Sequence, residues 1–250
     1  MKGLVASNFR RIDKGLLFDI IIMIVSPVLL VLCGQLLNDQ MIDGGYAVSD
    51  ITLSSVTQYS SLITKLLYMI AIIKYSGEAL CYILVISGLD EVLKLSSRYK
   101  NARRGFLTLI FVNAIALAVR MVSLLGGEGE IYVGSDSLYV FVSFLIKIVL
   151  GVSLFMLLRG NMDVLHSIGE DVAVYRNQSL SVGVVISFPL LGIVMLVDHF
   201  VPEMPLMVEL VCFVFEVIVW IYTFAVYIRT YLCVREVAKT VSVISEEVIT

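Results

Sequence analysis

The sequence predicts an all-α fold: a polytopic membrane helix bundle of six transmembrane helices, with both termini cytoplasmic. The chain is 59% hydrophobic and only 16% charged, more apolar than an ordinary soluble domain. Most of its 18 Lys and Arg residues lie in four clusters. Three stretches between the clusters, 38–59, 126–137 and 198–205, contain acids and no Lys or Arg. Because cytoplasmic loops carry the excess of Lys and Arg, the basic clusters are predicted inside and the acidic stretches outside.

Six apolar segments separate the four basic clusters from the three acidic stretches, and each segment is long enough to cross a hydrocarbon core of about 30 Å. The predicted spans cover about residues 16–37, 60–89, 106–125, 138–158, 180–197 and 206–228. Pro27 and Pro189 lie within the first and fifth spans, where a proline can kink a helix. The first segment follows basic residues, as a secretory signal does. It is longer than a signal core and no small-residue cleavage site follows, so we expect it to remain as span 1.

The even-numbered spans are predicted to extend into the cytoplasm as helices, over about residues 90–100, 161–176 and 229–249. Apolar residues recur there at helical spacing. They are Leu89 and Val92; Leu165 and Ile168; and Val234, Val237, Val241 and Ile244. Since three apolar stripes would otherwise face water, we predict that they pack on one another or on a second protomer. The whole chain, 1–250, is then a single transmembrane domain, because no stretch is left for a soluble domain of ordinary size.

Ionisable side chains inside the spans are the main functional signal, since a charge at a helix centre costs about 2.5–3.5 kcal/mol on insertion scales. Asp19 is expected to reach water at the cytoplasmic edge of span 1. Lys65 and Arg120 lie near enough to the outer surface to snorkel. The side chains assigned to a polar path between spans 2, 3, 4 and 6 are Glu216, Lys147, Lys74, Glu78, Arg120, Glu209 and Asn113. The alternative is a structural network of ion pairs, such as Glu216 with Lys147.

Several chemistries are not supported by the residues present. The cysteines and the two histidines show no zinc-ligand spacing, and no phosphate-binding glycine loop occurs. Gly151-Val152-Ser153-Leu154 lacks the final glycine of the rhomboid protease motif Gly-x-Ser-Gly, and span 6 has no histidine to act as a base. We therefore expect no catalytic residues, no metal and no cofactor, and we do not expect an enzyme.

Two functions remain open from the sequence. The first is a solute or ion translocator in the cell membrane, with a polar path open to water. The second is a non-catalytic membrane scaffold or partner subunit, for example of a transporter complex, that docks through its cytoplasmic helices. The expected partners are the lipid bilayer, anionic lipids at the basic cytoplasmic face, and a second copy or another protein at the cytoplasmic helices. Nucleic-acid binding is not expected, because no basic stretch is interleaved with exposed aromatic residues.

Overall fold

Six α-helices form the fold in a computed structural model that describes residues 2–43, 53–125, 132–200 and 206–247. They are α1 Lys2–Asp43, α2 Leu53–Val92, α3 Ser97–Leu125, α4 Tyr132–Ser167, α5 Asp171–Phe200 and α6 Leu206–Glu247. The all-helical fold predicted from the sequence is confirmed. Pro27 and Pro189 lie inside α1 and α5, as the predicted spans require.

Four of the helices contain segments long and apolar enough to cross a membrane within the described residues. These segments are Met69–Val92, Val140–Ser167, Asp171–Val197 and Leu210–Val241, in α2, α4, α5 and α6. They overlap predicted spans 2, 4, 5 and 6, and they are compatible with a membrane protein. The assignment of α1 and α3 as spans, and the orientation of the termini, stay predictions.

Consecutive helices pack against each other, and α6 returns to pack against α1. A smaller contact joins α4 to α6, so α5 lies in the angle between those two helices. The other five helices, α1, α2, α3, α4 and α6, form a closed circuit around the interior. We call the end with the turns between α2 and α3 and between α4 and α5 the turn end of the bundle.

Two of the predicted helical extensions are broken by turns. The helix α2 ends at Val92, residues 93–95 form a turn, and α3 begins at Ser97, so 90–100 is not one helix. The Ser96 hydroxyl accepts a hydrogen bond from the backbone N–H of Arg98 at 3.1 Å, which caps the start of α3. Between α4 and α5, Gly169 has a φ of 80°, a left-handed conformation that glycine adopts without strain. The predicted extension 161–176 is therefore two helices, whereas α6 continues unbroken to Glu247.

Residues of all three predicted cytoplasmic stripes are buried, although the α2 stripe does not pack on the other two. Leu89, Leu165 and Val237 are at most 1% exposed and belong to one hydrophobic core. In the described residues, α2 packs against neither α4 nor α6. The helix α2 packs against α1 and α3, whereas α4 and α6 contact each other as well as α5. The side chain of Ile244 lies outside the described part of the chain.

Candidate polar site in the bundle interior

Four polar side chains from four helices are buried in the interior near its mid-depth. They are Asp19 of α1, Glu78 of α2, Asn113 of α3 and Tyr227 of α6, and none is more than 5% exposed. We call these four residues the polar core. Most of the other buried residues of these four helices are apolar, so the four polar groups lie in a largely apolar interior.

Hydrogen bonds join the polar core in two pairs. The Tyr227 hydroxyl donates to Oδ2 of Asp19, which links the first helix to the last. The Asn113 side-chain amide donates to Oε2 of Glu78 at 3.4 Å, which links α2 to α3. Two carboxyl groups from neighbouring helices therefore each have one donor, supplied by a different helix.

Two lysines balance these acids. Lys74 lies one helical turn before Glu78, with its Nζ 4.0 Å from Oε1. The Asp19 carboxyl interacts unfavourably with Glu78 and favourably with Lys147 and Lys74. Burying two nearby carboxylates is costly unless bases or protons compensate their charge. The arrangement of two acids and two bases is therefore close to neutral, although the two acids remain near each other.

The polar core also contains hydrogen-bonding capacity that the protein does not use. Oδ1 of Asp19 and Oδ1 of Asn113 are buried and have no hydrogen-bond partner among the described residues. Buried polar atoms in proteins are almost always paired, and both of these atoms are acceptors. A water molecule or a small cation would satisfy both atoms, whereas a proton on Oδ1 of Asp19 would turn that atom into a donor.

Aromatic side chains close the interior between the polar core and the turn end. The rings of Tyr82 and Phe106 lie 5.7 Å apart, and those of Phe9 and Tyr99 lie 6.2 Å apart. All four side chains are at most 1% exposed. We call them the aromatic layer. They lie between the polar core and the turn end along their helices.

Tyr99 holds its place in this layer through a buried hydrogen bond. Its hydroxyl donates to Oδ1 of Asn161 on α4 at 2.9 Å. Burial, reinforced by the nearby Asp163, raises the pKa of Tyr99 well above its ordinary value. The phenol therefore remains a neutral donor throughout the physiological pH range.

The structure brings some of the sequence-predicted site residues together and separates others. Glu78 and Asn113 are hydrogen-bonded, and Lys74 and Lys147 lie within electrostatic range of Asp19. Glu216 is half-buried on α6, and its eleven-residue separation from Tyr227 corresponds to about 16 Å along the helix. It is not one of the four residues of the polar core, and its predicted pairing with Lys147 stays a prediction. The side chains of Lys65, Arg120 and Glu209 lie outside the described part of the chain.

The sequence interpretation of Asp19 was wrong, and Tyr227 was not assigned to the site. Asp19 was expected to reach water, yet it is 2% exposed, because α2 and α6 cover this face of α1. A signal was present in the sequence. Asp19 follows Ile12 by seven residues and Leu16 by three, which places it on the same apolar stripe of a helix. Tyr227 shares a helix face with Glu209 and Glu216, but it carries no charge, and charge was the signal by which the site residues were chosen.

No metal centre is suggested by the described residues, in which no group of three or more His, Cys, Asp or Glu side chains is arranged to hold an ion. Comparison with protein-family models, curated proteins and solved structures finds no match. What the polar core does must therefore be argued from its own residues.

Proposed function

We propose that the protein is an ion translocator of the cell membrane, in which the polar core is the site that a proton or small cation occupies in transit. The observation that carries this proposal is the pair of buried, unpartnered acceptors, Oδ1 of Asp19 and Oδ1 of Asn113. Intramembrane carboxyl groups in bundle interiors mark ion pathways and proton relays by default.

The proposed path differs from the one predicted by the sequence. It is lined by α1, α2, α3, α4 and α6, with Asp19 and Glu78 as the carboxyl groups that take up the cargo. Lys147 and Lys74 lower the cost of the empty, charged state. We further propose that the turn end faces the cytoplasm, as the basic clusters predict. The described conformation is then closed to the cytoplasm by the aromatic layer, and release inward requires the helices that carry this layer to separate. The proposal includes no catalytic step.

Flux measurements in reconstituted vesicles test the proposal. The variants are Asp19→Asn and Glu78→Gln, each of which keeps the shape of its side chain and removes its charge. The matched control is Glu91→Gln, which neutralises an exposed carboxylate on the same helix as Glu78. We expect both core variants to remain folded and to lose pH-dependent flux of protons, Na⁺ or K⁺, whereas the control keeps it. Folded core variants with unchanged flux of every ion tested would contradict the proposal.

Tyr227→Phe is a finer test of the same site. It removes the hydroxyl that donates to Asp19 and keeps the aromatic ring that packs on Phe188. Because a donor stabilises the ionised carboxylate, its loss should shift the pH dependence of flux towards higher pH. A changed maximal flux without any change in its pH profile would instead indicate a packing defect.

A second candidate is a non-catalytic partner subunit or scaffold, and one observation favours it. Between Leu210 and Tyr222 on α6, Val219 is buried and every other side chain is partly or fully exposed. Phe213 is 61% exposed and Trp220 40%. A helix exposed on nearly all faces contacts either lipid or another chain. The docking surface would then be this half of α6 rather than the cytoplasmic stripes, which the chain itself covers.

Cross-linking in native membranes distinguishes these two functions. Single cysteines in place of Val211 and Ile218, on a cysteine-free background, should form intermolecular cross-links if another chain packs on α6. Val182 on α5 is similarly exposed and serves as the control position. Cross-linking at neither α6 position would leave lipid as the neighbour and remove the support for the partner-subunit function.

A further inference from the structure

A groove on the outer surface of the bundle, between α5 and α6, is not used by the polar core. Its volume is about 500 Å³. Arg176, Ser179 and Gly183 of α5 line one side, and Tyr222, Val226 and Arg229 of α6 line the other. The groove combines cationic and apolar chemistry along its length, which is unusual for a surface that faces only hydrocarbon.

The cationic part of the groove contains two guanidinium groups. Nη2 of Arg176 is held by Oε1 of Glu236 at 2.9 Å. Arg229 is exposed, and within the described residues no carboxylate forms an ion pair with it. With two arginines and one glutamate, this part of the groove has a net positive charge. A guanidinium group matches the geometry of a phosphate and can bind it through two hydrogen bonds.

The apolar part of the groove is shaped by a glycine. A Cβ atom built on Gly183 would lie 3.5 Å from the hydroxyl of Tyr222 and from Cγ2 of Val226. Any side chain longer than alanine would therefore extend into the space between the two helices. Leu180 and Leu232 complete this apolar surface. The apolar part of the groove can accommodate a hydrocarbon chain, whereas a charged ligand would find its charged partners in the two arginines.

The cationic part and the apolar part of the groove correspond to different depths in the membrane. Both helices contain membrane-crossing segments, Asp171–Val197 and Leu210–Val241. The predicted spans begin at residue 180 in α5 and end at residue 228 in α6. The two longer apolar segments include Arg176 and Arg229, but the predicted span bounds place both arginines at the headgroup level and Gly183 and Tyr222 in the hydrocarbon. Basic pockets between transmembrane helices at the cytoplasmic side are suited to anionic lipid headgroups.

We propose that this groove binds one anionic glycerophospholipid of the cytoplasmic leaflet. Its phosphate lies between Arg229 and Arg176, and one acyl chain runs over Gly183 between the two helices. Glu236 orients Arg176 and leaves Arg229 to provide the unbalanced charge. A zwitterionic lipid fits the same groove without net attraction, so the site selects by headgroup charge.

Native mass spectrometry of the full chain tests the headgroup part. The protein is purified in detergent with equal amounts of phosphatidylglycerol and phosphatidylcholine of matched acyl chains. We expect one retained phosphatidylglycerol per chain, and about fivefold weaker retention in Arg229→Gln, the effect of removing one cation near a charged headgroup. Arg104→Gln, which removes an exposed arginine from α3, is the control and should match the wild type. Equal retention in a folded Arg229→Gln variant, or equal loss in the control, would overturn the proposal.

Two further experiments distinguish lipid binding from the binding of a free anion and from a folding defect. Gly183→Leu should reduce retention of both lipids, whereas Gly183→Ala, whose Cβ makes only ordinary contacts, should not. Inorganic phosphate at millimolar concentration should fail to displace the lipid. Displacement by phosphate, together with full retention in a folded Gly183→Leu variant, would show that the groove binds an anion rather than a phospholipid.

Discussion

Replacing Gly88 with alanine tests the close approach of α1 and α2. A Cβ atom at this position would lie 2.6 Å from the carbonyl oxygen of Asn8 and 3.0 Å from the backbone nitrogen of Ile12. Ordinary contact begins at 3.4 Å, so the two helices must separate by about 0.8 Å locally, the difference between 3.4 and 2.6 Å. Cγ1 of Ile12 would also lie 2.6 Å away, but the other two atoms belong to the backbone and cannot rotate away. Overpacking of this kind costs about 1–3 kcal/mol.

The matched control is Gly183→Ala, since both glycines lie within helices and gain the same intrinsic helix propensity, about 1 kcal/mol. At Gly183 the nearest atoms would be 3.5 Å away, so no clash opposes that gain. The difference between the two variants isolates the clash, and we expect Gly88→Ala to be less stable than Gly183→Ala by about 1–3 kcal/mol. Unfolding by SDS in mixed micelles measures both. Equal stability of the two variants, within about 0.5 kcal/mol, would refute the close helix contact.

Three other measurements address separate parts of the molecule. Tyr99→Phe removes the donor to Oδ1 of Asn161 and should lower the free energy of unfolding by about 1–3 kcal/mol, with an unchanged value contradicting the buried hydrogen bond. Burial raises the pKa of Asp13 above its ordinary value of 3.8, partly offset by Arg235. The buried carboxyl group of Asp13 therefore favours the folded state while it is protonated. This contribution is fully present below about pH 3.8 and is lost as the pH rises through the raised pKa. The unfolding temperature of Asp13→Asn should therefore equal that of the wild type at pH 3.5 and exceed it at pH 7. A lower unfolding temperature of the variant at pH 7 would show that the attraction of Asp13 to Arg235 outweighs the cost of its burial. Single cysteines that replace Asp43, Glu130 or Glu203 should be labelled from outside by a membrane-impermeant maleimide. Protection of any one of them, together with labelling near Arg103, would contradict the six-span topology.

The sequence was sufficient for the helical fold because long apolar segments separated by acidic or basic stretches leave few alternatives. The turn before α3 was not predictable in the same way, since residues 93–96 contain no glycine or proline. Its position depends on Ser96, which caps α3 and also donates to Oδ2 of Asp163 on α4 at 2.5 Å. That second contact joins residues far apart in the sequence. The turn at Gly169, by contrast, had a local signal, because a glycine followed by an acid at the start of the next helix is a common helix boundary.

The candidate site was predictable in part for a similar reason. Glu78, Lys74 and Lys147 are charged residues in apolar segments, and that alone marked them. Asp19 lay close to a predicted span boundary, where access to water was the simpler expectation. Its burial results from the packing of α2 and α6 around it, which helical periodicity suggests but does not determine.

The hydrogen bond between Tyr227 and Asp19 joins residues 208 positions apart in the chain. At a synthesis rate of 5–20 residues per second, α1 is complete about 10–40 s before the residue that pairs with its carboxyl group exists. Throughout that interval Asp19 must remain protonated, stay near water, or bind lysines of helices that arrive earlier. Packing of α6 against α1 therefore cannot precede the synthesis of α6, and it coincides with the first moment at which this carboxyl group acquires its hydroxyl donor. A quality-control factor that recognises an unpaired buried acid would have in Asp19 a direct measure of whether α6 has packed against α1.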